Sequence, residues 1–96
     1  MRVMKRIPPI QCLVTFEVLS RVRSIKLAAE ELCVTPSAIS HRIRLLESIL
    51  KIQMFNENFT LSEQGERYIK IVCQVLDLLK NIQADVKEFE SWELLS

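Results

Sequence analysis

Glycine is almost absent from this sequence. Gly65 is the only one among 96 residues, and proline occurs three times, twice as Pro8-Pro9. A fold made of many tight β-turns needs far more of both, so this scarcity argues for helices. The three cysteines, Cys12, Cys33 and Cys73, are odd in number and scattered through helical patterns. They form neither a disulfide framework nor a zinc-binding spacing, and they suit a reduced, cytoplasmic setting. His41 is the only histidine. With no second histidine and no nucleophile–base pair or phosphate loop, neither a metal site, a cofactor nor an enzyme is expected. No apolar run approaches the roughly 20 residues of a membrane span, and the N-terminus lacks a signal-peptide pattern. A membrane partner is not expected.

Net charge is also nearly absent, at +1, but its distribution is uneven. Residues 1–62 hold nine Lys/Arg against five Glu, a net of +4, while residues 63–96 hold four against seven acidic residues, a net of −3. A locally basic surface, rather than the chain total, is what a polyanion meets. The basic part is read as one domain, residues 1–62, and the acidic part, residues 63–96, as a separate helical extension.

Within the basic part, Ser24 to Glu47 reads as two helices around a tight corner. Ser24 is a good N-cap, and Ile25, Ala28, Ala29 and Leu32 follow at helical spacing. The pattern breaks at Cys33-Val34 and restarts at Thr35-Pro36, a hydroxyl N-cap followed by a proline at the first helical position. In the second helix Ala38, Ile39, Ile43, Leu46 and Leu50 form the apolar stripe. Ser37, Ser40, His41 and Arg44 lie opposite, with Arg42 flanking. This spacing predicts a helix-turn-helix, whose second helix enters the major groove of DNA. On spacing alone a helical corner in any small all-helical domain reads the same way, and both readings stand.

The segment LAAEELCVTPSAISHRIRLLE adds a resemblance. It is similar to the N-terminal DNA-binding segment of LysR-type transcriptional regulators, through Ala28-Ala29, Leu32, Val34-Thr35, Ala38-Ile39-Ser40 and Ile43 with Leu46-Glu47. The likeness runs from about Arg6 to Phe89 and is strongest to the subgroup that includes the glycine-cleavage regulators. It implies a mainly α fold: a winged helix-turn-helix of three helices plus a short β-hairpin wing, then a long linker helix for dimerisation. It also implies double-stranded DNA as partner, an inverted-repeat operator with T and A at its outer positions, and a continuation into an effector-binding domain. On that reading the chain is a fragment or a naturally truncated protein, located in the cytoplasm on the nucleoid.

The candidate DNA-binding residues are Arg23, Ser24 and Lys26 at the start of the first of these two helices, and Thr35, Pro36, Ser37, Ser40, His41, Arg42 and Arg44 on the second. Ser40 and His41 are placed for base edges, Arg44 for a phosphate or a guanine edge, and Arg23, Lys26 and Arg42 for phosphates. Arg21 clusters with Arg23 and Lys26, and Arg2, Lys5 and Arg6 form a basic arm before Pro8. Several positions depart from the family pattern. Gln-Pro is usual where this chain has Pro36-Ser37, and arginine where it has His41. Lys51 replaces a turn glycine, and the wing, read between Ile49 and Ser62, is short. It lacks its customary arginines and carries Glu57. Its strands are expected at 53–56 and 59–61.

The last helix is predicted from about Glu63 to Glu90, capped by Ser62. Tyr68, Val72, Val75, Leu79, Ile82, Val86 and Phe89 step by four and three residues as one seam, and Ile69, Cys73 and Leu76 form a second stripe. The resemblance assigns the seam to a homodimer, with higher oligomers once an effector domain is attached. The alternative is a helical protein-interaction module without DNA binding, in which residues 63–90 provide the function.

Overall fold

The computed structural model describes residues 7–95, with side chains from 7 to 82. The basic arm at Arg2, Lys5 and Arg6 lies outside the described residues. Four helices follow one another: α1 Ile10–Val22, α2 Ile25–Leu32, α3 Pro36–Leu50 and α4 Glu63–Leu95. Each boundary has a local cause. Pro9 precedes α1 and has no N–H to lose, while its carbonyl accepts from Cys12 N at 2.9 Å. The Ser24 hydroxyl caps α2 by accepting from Leu27 N at 3.2 Å, and Thr35 caps α3 by accepting from Ala38 N at 3.2 Å.

Three helices end on a residue with left-handed backbone, at Arg23 (φ 56°), Cys33 (φ 57°) and Lys51 (φ 58°). Glycine is the usual residue there, because a Cβ in this region costs roughly 1–2 kcal/mol. The helix-turn-helix corner is closed by Val34 N donating to Ala29 O at 3.0 Å, a Schellman-type return.

The core gathers around α1, which touches the other three helices. Phe16 and Leu19 are fully buried with Ala28 from α2, Ile39 and Leu46 from α3, Met54 from the wing and Val72 from α4. Phe16 meets Phe55 edge-on at a centroid distance of 5.5 Å and Tyr68 at 6.2 Å. These are ordinary aromatic core packings. At three-residue steps along α1, Phe16 and Leu19 are buried and Leu13 is half-buried. Ile10, at the open end of the helix, is exposed.

The wing is slighter than a hairpin. One antiparallel bridge, Phe55 to Leu61, replaces the two expected strands. It is flanked by Asn56 N to Thr60 O at 2.8 Å and Ser62 N to Met54 O at 2.8 Å. Phe59 N donates to Asn56 O at 3.1 Å, and Phe59 itself takes φ 58°. A turn followed by a left-handed residue uses up the few residues between the two sides, so no ladder can grow.

Gly65 explains how α4 leaves the wing. A Cβ there would lie 2.2 Å from the Met54 carbonyl oxygen, so only glycine lets the helix approach the wing backbone this closely. The Ser62 hydroxyl completes the joint, donating to Gln53 O at 2.5 Å and accepting from Gly65 N at 3.0 Å. From there α4 continues to Leu95, past the expected end near Glu90, because no glycine or proline interrupts it. Among the described residues no helix is long and apolar enough to cross a membrane.

Candidate nucleic-acid interface

α3 is amphipathic in a way that leaves one face unused by the fold. Ile39, Ile43 and Leu46 are buried in the core. Ser37, His41, Arg44 and Ser48, at four-three-four spacing, are all exposed, and Ser40 is half-buried at their edge. None of His41, Arg44 and Ser48 makes a side-chain hydrogen bond or ion pair among the described residues, while Ser37 lies 3.4 Å from the Thr35 hydroxyl. Pro36 is exposed beside them at the first helical position. Ser48 was not singled out from the sequence, although it lies seven residues from His41 and shares its face.

Arg42 lies elsewhere. It is half-buried on the flank facing α1, where its Nη1 donates to the Thr15 hydroxyl at 3.4 Å. Burial pushes the Cys12 thiol upward, and the nearby Arg42 charge partly offsets this. The guanidinium is therefore part of the α1–α3 contact, separate from the face carrying His41 and Arg44.

The cations near the start of α2 also divide. Arg21 Nε reaches Glu17 Oε2 at 3.2 Å, and its Nη atoms bond to Glu31. These carboxylates hold Arg21 above the ordinary arginine range, and its hydrogen bond lowers the Glu31 carboxyl. Arg21 thus joins α1 to α2 and adds little positive field of its own. Arg23 and Lys26 are exposed and form no ion pair among the described residues, with the half-buried Ser24 cap between them. An exposed cation beside the free N–H groups of a helix start favours an anion.

Glu47 has a role that the sequence pattern did not reveal. Its carboxylate accepts from Met54 N at 2.8 Å, fastening the start of the wing to α3. A glutamate seven residues before its partner gives no periodic signal.

On α4 the described side chains sort differently from the expected seam. Val72 is 1% exposed, and Tyr68 packs against Phe16, so both belong to the domain's own core. Ile69 and Leu76 also pack there, as expected, but Cys73 is exposed. Leu78 (63% exposed), Ile82 (56%), Ile71 and Leu79 are left open, with Val75 half-buried. Ile71, Val75, Leu78 and Ile82 are spaced four, three and four, an open apolar stripe that shares Val75 and Ile82 with the expected seam. Val86 and Phe89 lie outside the described side chains.

These features define a class of protein, a small helix-turn-helix body with an outward α3 face, a reduced wing and a long emerging helix. Residues 10–66 match the family model described as the bacterial regulatory helix-turn-helix protein, lysR family. The chain belongs to the LysR family. It is 43% identical over 75 residues to the glycine cleavage system transcriptional activator homolog of Haemophilus influenzae, covering 75% of this chain and 25% of that protein. Against the glycine cleavage system transcriptional activator of Escherichia coli K12 it is 37% identical over 87 residues, covering 83% of this chain and 28% of the relative. The chain thus spans about a quarter of the length of these relatives. Among solved structures, BenM DBD in complex with benA site 1 DNA superposes with a TM-score of 0.78 at 20% identity, covering 84% of this chain and 98% of that one. Corynebacterium glutamicum OxyR C206 mutant superposes at 0.83 and 20% identity, covering 88% of this chain and 27% of that one. At such identities the structures speak for the fold alone.

Proposed function

We propose that this chain is the DNA-binding part of a transcriptional regulator, which places α3 in the major groove and acts as a homodimer through α4. The observation that carries the reading is the outer face of α3. Ser37, Ser40, His41, Arg44 and Ser48 offer hydroxyl, imidazole and guanidinium groups on a helix whose opposite side is the core. A major groove about 12 Å wide admits such a helix. Its N-terminal half, with Ser37, Ser40 and His41, then meets base edges, and Arg44 reaches a guanine edge or a phosphate. Pro36 and the Thr35 cap set the start of that helix against the duplex. Arg23 and Lys26, with the Ser24-capped start of α2, bind phosphates. Arg42 serves chiefly to fix α3 on α1.

The proposed operator is an imperfect inverted repeat with T and A at its outer positions, and the protein works in the cytoplasm on the nucleoid. The dimer is assigned to the exposed stripe Ile71, Val75, Leu78 and Ile82, with Leu79 at its edge. Larger assemblies and an effector response belong to a longer protein.

The test is binding of the chain to duplexes selected from a random pool, measured at several salt concentrations. Affinity should fall steeply with salt. His41→Ala should lower the ratio of selected to random affinity by about tenfold to a hundredfold, as for a lost base contact of roughly 1–3 kcal/mol. Lys26→Ala should weaken both alike and flatten the salt slope by about one. If no duplex is retained at low salt, the DNA reading is wrong. An unchanged ratio for His41→Ala would pass base reading to Ser37 or Arg44.

A further inference from the structure

Residues 52–62 carry a single charged side chain, and it is an acid, Glu57. It stands exposed in the turn from Asn56 to Phe59 and forms no ion pair among the described residues. With Ile43 and Glu47 of α3, and with Phe55 and Phe59, it lines an open cleft between the C-terminal half of α3 and the wing. The wing turn therefore lies along the flank of α3.

Resting on the DNA reading above, we infer that Glu57 is an affinity-limiting residue of that interface. Its carboxylate weakens each single binding head, so that stable occupancy requires two heads engaged together. A helix with its side chains is about 10–12 Å across and fills a groove of about 12 Å. A side chain exposed to solvent on the flank of that helix then stands beside a row of phosphates. A carboxylate there opposes every duplex regardless of sequence, because non-specific binding is electrostatic. Among the described residues, Lys51 is the one cation lining this cleft, against the two acids Glu47 and Glu57. Weak single heads make binding depend on the effective concentration created by pairing them. Isolated half-sites and random DNA then stay empty at concentrations that fill a paired site.

Glu57→Gln and Glu57→Lys test this, with Asp77→Lys as the control. Asp77 is exposed on α4, and its substitution makes the same two-unit charge change away from the wing. Binding is measured to a selected paired site, to one half-site and to a random duplex, with circular dichroism checking the fold. Glu57→Gln should raise half-site and random affinity about threefold to fivefold, and Glu57→Lys about tenfold or more, with a salt slope steeper by about one. Asp77→Lys should change them less than about twofold. The inference is overturned if Glu57→Lys matches the wild type or Asp77→Lys. It is also overturned if Glu57→Gln weakens the selected site alone, since the carboxylate would then be reading a base. A wild type that binds no duplex at low salt defeats the DNA reading as well. A wild type that binds, with all variants alike, defeats only the assignment to Glu57.

Discussion

Lys51 shows how much a single residue can hold in reserve. It ends α3 at φ 58°, with its N–H bonded to Glu47 O at 2.7 Å, and its side chain is exposed. A side chain gains nothing from that backbone shape, whereas glycine adopts it freely, and the relief outweighs the extra freedom glycine gives the unfolded chain. Lys51→Gly should raise stability by about 0.5–1 kcal/mol, read as a higher urea midpoint at unchanged slope. A lower midpoint would mean that the lysine stem packs more than its exposure suggests. Arg23 and Cys33 hold the same backbone shape at the other two corners. Both Lys51 and Arg23 place a cation where glycine would place none, so the strain accompanies charge beside the proposed DNA surface.

At the scale of elements, the wing is the least self-sufficient piece. It has one bridge of its own and depends on the helices at both ends, on Glu47 at its start and Ser62 at its close. Glu47→Ala removes the acceptor for the Met54 N–H and should cost about 1–2 kcal/mol, with faster hydrogen exchange confined to residues 53–61. Glu47→Gln keeps an acceptor oxygen and should restore most of the protection. If exchange rises evenly over the whole chain instead, the wing and helices unfold as one unit.

Helices announced themselves in the sequence because their cores repeat every three or four residues and their caps are chemically distinctive. Ser24, Thr35-Pro36 and Ser62 fixed the starts of three helices within a residue. The wing was less legible, since a bridge held by turn geometry and a distant glutamate leaves no period to read. Two of the expected seam residues on α4, Tyr68 and Val72, lie in the domain's own core for a related reason. Tyr68 and Val72 are apolar at heptad spacing, but spacing cannot say which of two apolar sides faces Phe16. On the outer face of α3 the sequence distinguished polar from apolar positions well. It could not tell that Arg42 turns to Thr15, or that Arg21 is held by two glutamates, since those partners come from other helices.

For the molecule as a whole, the proposed dimer rests on the exposed stripe of α4. Leu78 and Ile82 are more than half exposed, and an apolar helical stripe in water gains by being covered. The chain should sediment as a dimer at micromolar concentration. Replacing Leu78 and Ile82 together with Glu should yield monomers, because like charges would face each other in a buried seam. Replacing Val72 should act differently, destabilising the fold of each subunit, since that side chain is already covered. A wild-type monomer at that concentration would remove the stripe as an interface.

Gly65 gains a longer reach in such a dimer. The missing Cβ lets α4 start hard against the Met54 carbonyl, and Ser62 ties the same joint to Gln53. The direction in which α4 leaves the body is thereby fixed relative to α3. When two copies join along α4, that direction becomes the separation and tilt of the two reading helices. DNA presents the same groove face once every 10–10.5 base pairs, so the admissible separations are discrete. The number of base pairs between the two halves of a target site would then be set at a joint that touches no DNA.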